Sequence, residues 1–117
     1  MVAGRLGAGA VNSKKKGNGG ERELLHILHD AGFPVYRNDQ QYVGGFERPD
    51  LALTIGGVKY HVEVKRTEKL SLYTAMAQAV HDANGKAVPV VIHRRNREEW
   101  LVIERLQDFI QDRRNGN

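Results

Sequence analysis

Apolar and polar positions follow two different periods along this chain. From Glu21 to Gly32, Leu24, Leu25, Ile27, Leu28 and Ala31 recur at helical spacing, which predicts a first helix with Gly32 as its C-cap. Pro34 prevents continuation, and Val35-Tyr36-Arg37 reads as a short strand before a polar loop over 38–48. A period of two takes over in Asp50–Ile55 and Val58–Lys65, with Gly56-Gly57 between them as a two-residue hairpin signal. Pro49 suits a strand start, where its missing N–H does no harm. Residues 70–84 carry Leu72, Met76, Ala79 and Val80 at helical spacing, and Gly85 ends that helix. Ala87–Ile92 is a largely apolar strand, Arg94–Glu99 a charged turn and Trp100–Ile103 a last strand. A final helix over 105–112 is expected to turn Leu106, Phe109 and Ile110 inward. The order αβββαββα, without internal repeats, predicts an α/β domain with one mixed sheet flanked by helices.

Composition narrows the chemistry. At 117 residues the chain suffices for one domain. It has no cysteine, which excludes a disulfide framework, a thiolate metal site and a cysteine nucleophile. No apolar run approaches the ~18 residues that span a membrane. The opening Met1-Val2-Ala3-Gly4-Arg5 stretch lacks an apolar signal core, so an intracellular, cytoplasmic protein without membrane attachment is expected. The net charge of +4 equals the contribution of Arg5, Lys14, Lys15 and Lys16, so the rest of the chain is neutral. Residues 1–18, aperiodic and rich in Gly, Ala, Asn and Lys, read as a basic flexible leader, and 19–117 as the folded domain.

The hairpin register concentrates acids. With Gly56-Gly57 as the loop, Ile55 pairs with Val58, Leu53 with Tyr60 and Leu51 with Val62, so the apolar residues share one face. The same register sets Asp50 across from Glu63, with Cβ atoms roughly 4.5–5.5 Å apart, and Lys65 two residues further on that face. Opposed carboxylates are costly in a sheet and raise each other's pKa unless a cation lies between them. As structure the pair is a chance feature of a charged face; as chemistry it suits a divalent metal. A third acid, Glu21, lies one turn before Leu24 and Leu25 and so borders the buried stripe, whereas Glu23 points away from it.

Pro49-Asp50 followed by Glu63-Val64-Lys65 on the next strand resembles the PD-(D/E)xK nuclease superfamily, whose restriction-endonuclease-like αβββαβ core matches the predicted order. Within it, Lys16-Gly17, Glu21-Arg22-Glu23-Leu24, Gly32-Phe33, Arg37 and Arg48-Pro49-Asp50 look like the archaeal-type Holliday junction resolvases, which phages also carry. The resemblance runs from about Lys14 to Trp100. It implies a Mg²⁺-dependent endonuclease, with Mn²⁺ as a substitute, that cuts four-way DNA junctions as a homodimer. By position, Glu21, Asp50, Glu63 and the backbone carbonyl of Val64 would hold the metal, and Lys65 would be the catalytic lysine. The resolvases often carry a Ser-Gly element before the aspartate; residues 38–49 hold Gly44-Gly45 and no serine. A related nuclease cutting flaps, nicks or duplex is therefore the alternative, and a non-catalytic DNA-binding protein on the same fold the rival from another class. Clustered acids facing a polyanion argue against the latter.

Candidate DNA contacts are Lys14, Lys15, Lys16, Arg22, Arg37, Arg48 and Lys69, with Tyr42 and Phe46 able to stack on bases from the loop before Asp50. Arg94, Arg95 and Arg97 read as a solvated turn first and a phosphate contact second. His61 shares the face of Glu63 and reads as a surface histidine, with a role beside the metal or DNA as the alternative. Gln78 reads as a solvent-facing helix residue; related small phage and restriction-associated nucleases place a glutamine on the equivalent helix.

Overall fold

The computed structural model describes residues 19–38 and 50–116. Helix α1 covers 19–30 and is followed by strands β1 (Val35–Asn38), β2 (Asp50–Ile55) and β3 (Val58–Arg66). Helix α2 (Leu72–Ala83) leads to β4 (Val88–Arg94), β5 (Leu101–Glu104) and helix α3 (Leu106–Arg114). The expected leader, 1–18, lies outside the described residues.

The strands form one sheet in the order β1-β2-β3-β4-β5. Among the described strands only β3 and β4 run parallel, as they must when a crossover helix joins them. The other three pairings are antiparallel. The β2–β3 register is the predicted one, with Ile55 opposite Val58, Leu53 opposite Tyr60 and Leu51 opposite Val62. Gly56 and Gly57 turn the hairpin with φ of 59° and 83°, a conformation that a side chain resists.

Two cores flank the sheet. On one face Leu24 of α1 packs with Val35, Leu51, Leu53, Tyr60, Val62, Val64, Val90 and Ile92. On the other, Ala75 and Ala79 of α2 meet Val91, with Leu70, Met76 and Ile103 around them. The face of α2 differs from the expected one. Ala75, Ala79 and Ala83 are buried, while Val80 is 37% exposed. The opposing face of β3 carries His61, Glu63 and Lys65, and alanines leave room for those long side chains. Ile27 in α1 and Ala31 just beyond its end also leave the expected stripe for the surface.

Helix α3 corrects a further expectation. Leu106, Phe109 and Ile110 do not face inward; they are 72%, 41% and 46% exposed. The helix is anchored by a polar contact instead. Tyr60 Oη donates to Asp112 Oδ2 at 3.0 Å, and Asp112 is buried. Burial, then that hydrogen bond and the Asp112 charge, push the Tyr60 hydroxyl up to about 12. Burial and Asp112 likewise raise Glu104.

Candidate active site

The central strand β3 carries the site. Residues 60–64 are all buried, because α1 covers one face and α2 the other. Alternation then sends His61, Glu63 and Lys65 to the α2 side. Glu63 is fully buried, with Val91 of β4 as its neighbour across the parallel pair. Its two oxygens have different company. Oε2 lies 3.6 Å from Lys65 Nζ, and Oε1 lies 4.0 Å from His61 Nε2. Burying a carboxylate is costly without compensating charge, and the lysine supplies part of it.

Asp50 opens β2. Its backbone pairs with Asn38 of β1, and the next residue, Leu51, pairs with Val62, which precedes Glu63. The register thus carries Asp50 to the strand position beside Glu63, as the hairpin geometry predicts.

Glu21 is buried, as helical phase predicts, and reaches the sheet from the α1 side. Arg37 Nη2 donates to its Oε1 at 3.1 Å. Arg37 pairs with Leu51, so the contact ties Glu21 to the end of the sheet where Asp50 stands. A close approach fixes the helix there. A Cβ on Gly20 would lie 2.6 Å from Arg66 Cβ, so only glycine lets α1 sit this near β3.

Glu23 does not simply point into solvent. It accepts from Arg94 Nη2 at 3.1 Å and from Trp100 Nε1 at 3.3 Å, while Arg94 lies over the Trp100 ring at 5.6 Å. This network joins α1 to β4 on the rim of the site.

Among the described residues, two recesses open at the end of β3. A cavity of about 190 Å³ is lined by Lys65, Thr67, Lys69, Ser71, Thr74 and Gln78 among others. Gln78 is therefore half-buried beside Lys65 and not solvent-facing. A larger recess of about 620 Å³ is lined by Arg66, Glu68, Arg94, Asn96 and Arg97. Arg66 Nη2 donates to Asn96 Oδ1 at 2.7 Å, which orders this basic wall.

His61 is the main correction to the expected site. It is buried, not a surface histidine, and stands opposite Ala52 as predicted. The strand alternation and the helix over 70–84 were both visible in sequence, but not that the helix lies over this face of β3. Asp82, on the last turn of α2, joins this group and had no sequence signal. Among the expected DNA contacts, Arg22 and Lys69 are exposed, and Arg37 is engaged with Glu21. Lys14, Lys15, Lys16, Tyr42, Phe46 and Arg48 lie outside the described residues.

A fully buried carboxylate stands beside a lysine on β3, Asp50 holds the strand position next to it on β2, and Glu21 is a buried acid on α1 tied to the same end of the sheet. Carboxylate oxygens are the donors that hard divalent cations such as Mg²⁺ or Mn²⁺ prefer. The family profile for archaeal Holliday junction resolvases (Hjc) matches residues 12–117. Among solved structures, the chain is similar to Hjc from the archaeal hyperthermophile Archaeoglobus fulgidus, a Holliday junction resolvase. The two are 29% identical, with 72% of each chain covered and a TM-score of 0.56. No curated protein sequence matches the chain.

Proposed function

The chain belongs to the archaeal Holliday junction resolvase family and functions as a junction-resolving nuclease, and on that premise we propose how it cuts. Glu21, Asp50, Glu63 and the Val64 carbonyl hold a divalent ion, Mg²⁺ or Mn²⁺. The observation that carries this reading is the fully buried Glu63 carboxylate with Lys65 Nζ at 3.6 Å. When bound, the ion supplies an activated water and neutralises charge growing on the phosphate. Lys65, beside Glu63, orients the attacking water or stabilises the transition-state charge. The recess formed by Lys65, Lys69, Ser71, Thr74 and Gln78 seats the scissile phosphate. Arg66, Arg94 and Arg97 neutralise phosphates further along.

Substrate contact extends to the leader. Lys14, Lys15 and Lys16 add sequence-independent affinity, while Arg22, Arg48, Tyr42 and Phe46 meet the DNA near Asp50. The folded nuclease domain comprises 19–117, and 1–18 is a basic extension. Four-way DNA arises inside cells, so the protein acts in the cytoplasm; among the described residues no helix is long and apolar enough to cross a membrane.

A junction needs two symmetric cuts, which a two-fold dimer supplies. Edge strand β5 and helix α3 leave Leu101, Val102, Leu106, Phe109 and Ile110 exposed. A second copy of the chain covers this apolar face.

The test is cleavage of labelled four-way junction, flap and duplex side by side with Mg²⁺. The junction should be cut at paired positions, with flap and duplex far slower. Equal rates on all three would overturn junction selectivity. Sedimentation of the wild type against Leu106→Glu with Phe109→Glu should show dimer and monomer respectively; a monomeric wild type would overturn the dimer.

A further inference from the structure

Glu63 has a second neighbourhood that cleavage does not use. On the side away from Lys65, donor atoms of His61, Glu63 and Asp82 all lie within 4.8 Å of one another. His61 and Glu63 come from β3, and Asp82 comes from the last turn of α2. His61 Nε2 and Glu63 Oε1 are 4.0 Å apart. Closing that gap by roughly half an ångström brings both within the 2.0–2.2 Å bonds of a common ion. The placement of Asp82 is unfavourable without a cation, because the helix C-terminus already carries partial negative charge. His81 Nδ1 lies 3.2 Å from Asp82 Oδ1, but that ring is largely in solvent. His61 and Asp82 also line a cavity of about 390 Å³, which gives an ion a route from solvent.

We propose that His61, Glu63 and Asp82 form a binding site for a divalent transition-metal ion, Zn²⁺ or Co²⁺ in type, separate from the magnesium set and sharing Glu63 with it. The imidazole decides the class of ion. Nitrogen ligands favour late transition metals, whereas Mg²⁺ prefers oxygen. Binding at this site stands independently of the nuclease reading. Its consequence for cleavage rests on that reading: Glu63 is drawn toward His61, and the hydrolysis that depends on it slows.

The experiment is Co²⁺ and Zn²⁺ titration of tag-free, metal-stripped full-length protein in excess Mg²⁺. Co²⁺ is followed by its visible absorption and Zn²⁺ by competition against it. Wild type should bind one ion with a nitrogen-ligated spectrum. His61→Gln and Asp82→Asn should each weaken binding by about tenfold or more, and His81→Asn should bind as wild type does. Wild-type affinity in His61→Gln or in Asp82→Asn overturns the site. If His61→Gln fails to fold, Asp82→Asn decides alone, since its side chain is partly in solvent. In parallel, micromolar Zn²⁺ should slow Mg²⁺-dependent junction cleavage by the wild type, and Asp82→Asn should be relieved. Unrelieved inhibition overturns the coupling to cleavage. A protein that binds Co²⁺ as described yet cuts no DNA would refute the nuclease mechanism and leave the site standing.

Discussion

Arg37 Nη2 donates to Glu21 Oε1 at 3.1 Å, joining the first strand to the first helix at the end of the sheet where Asp50 begins β2. The arginine read in sequence as a DNA contact is thus engaged with a buried acid. Arg37→Ala should lower the cleavage rate at saturating junction by about tenfold, as expected for a misplaced site residue. The slope of log K against log salt should stay that of the wild type. A slope flattened by about 0.9 would instead mark a lost phosphate contact.

Glu63→Gln and Glu21→Gln should each reduce cleavage by at least ~10²-fold. Junction binding should be retained, since both changes remove negative charge near the phosphates. Glu23→Gln should cut at a near-wild-type rate. Because Glu23 bridges Arg94 and Trp100 from a partly exposed position, its loss should lower thermal stability by less than about 1 kcal/mol. Single-turnover cleavage and thermal melts separate these outcomes.

Gly20→Ala sets two effects against each other. Alanine in place of glycine ordinarily stabilises a helix by about 1 kcal/mol. Here its Cβ would lie 2.6 Å from Arg66 Cβ, and such overpacking costs about 1–3 kcal/mol. The clash should win: calorimetry should show a lower Tm, and cleavage should fall with it as Glu21 shifts.

Tyr60 gives a pH signature. Its hydroxyl is raised from the ordinary 10.0 to about 12, so the folded protein holds a proton that the unfolded chain releases. The resulting stability is complete below pH 10 and is lost as pH rises toward about 12. Melts across that range should decline in the wild type. Tyr60→Phe should lack the decline from this residue. It should also be less stable at pH 7 by about 1–3 kcal/mol, because the buried Asp112 carboxylate loses its donor.

Deleting residues 1–16 removes Arg5, Lys14, Lys15 and Lys16. Junction binding at low salt should weaken, and the salt slope should flatten by roughly two to four units per protomer. Cleavage at saturating DNA should survive. Parallel lines of equal affinity would assign DNA binding to the folded domain alone.

The αβββαββα order was legible because each element carries its own period and its own punctuation. Gly56-Gly57 and strict alternation fixed the hairpin, and the hairpin fixed the position of Asp50 beside Glu63. The burial of Glu21 was legible through helical phase. What sequence could not show depends on neighbours distant along the chain. His61 looks like a solvent-facing residue until α2 is laid over it. Asp82 joins it only through the crossover. Helix α3 has an apolar face that suggests burial, yet one buried acid under Tyr60 anchors it and leaves that face outward.

The parallel pairing of β3 with β4 has a consequence for how the protein comes into being. Glu21, Asp50, Glu63 and Lys65 all precede residue 67, but β3 gains its second neighbour only from Val88–Arg94, where Val91 lies against Glu63. A chain emerging from the ribosome therefore carries all four of these side chains well before β3 is enclosed. Until α2 and β4 have been made, β3 is a bare edge and Glu63 stands in water. The strand that carries Glu63 gains both of its neighbours only when synthesis has passed beyond Lys65 by nearly thirty residues.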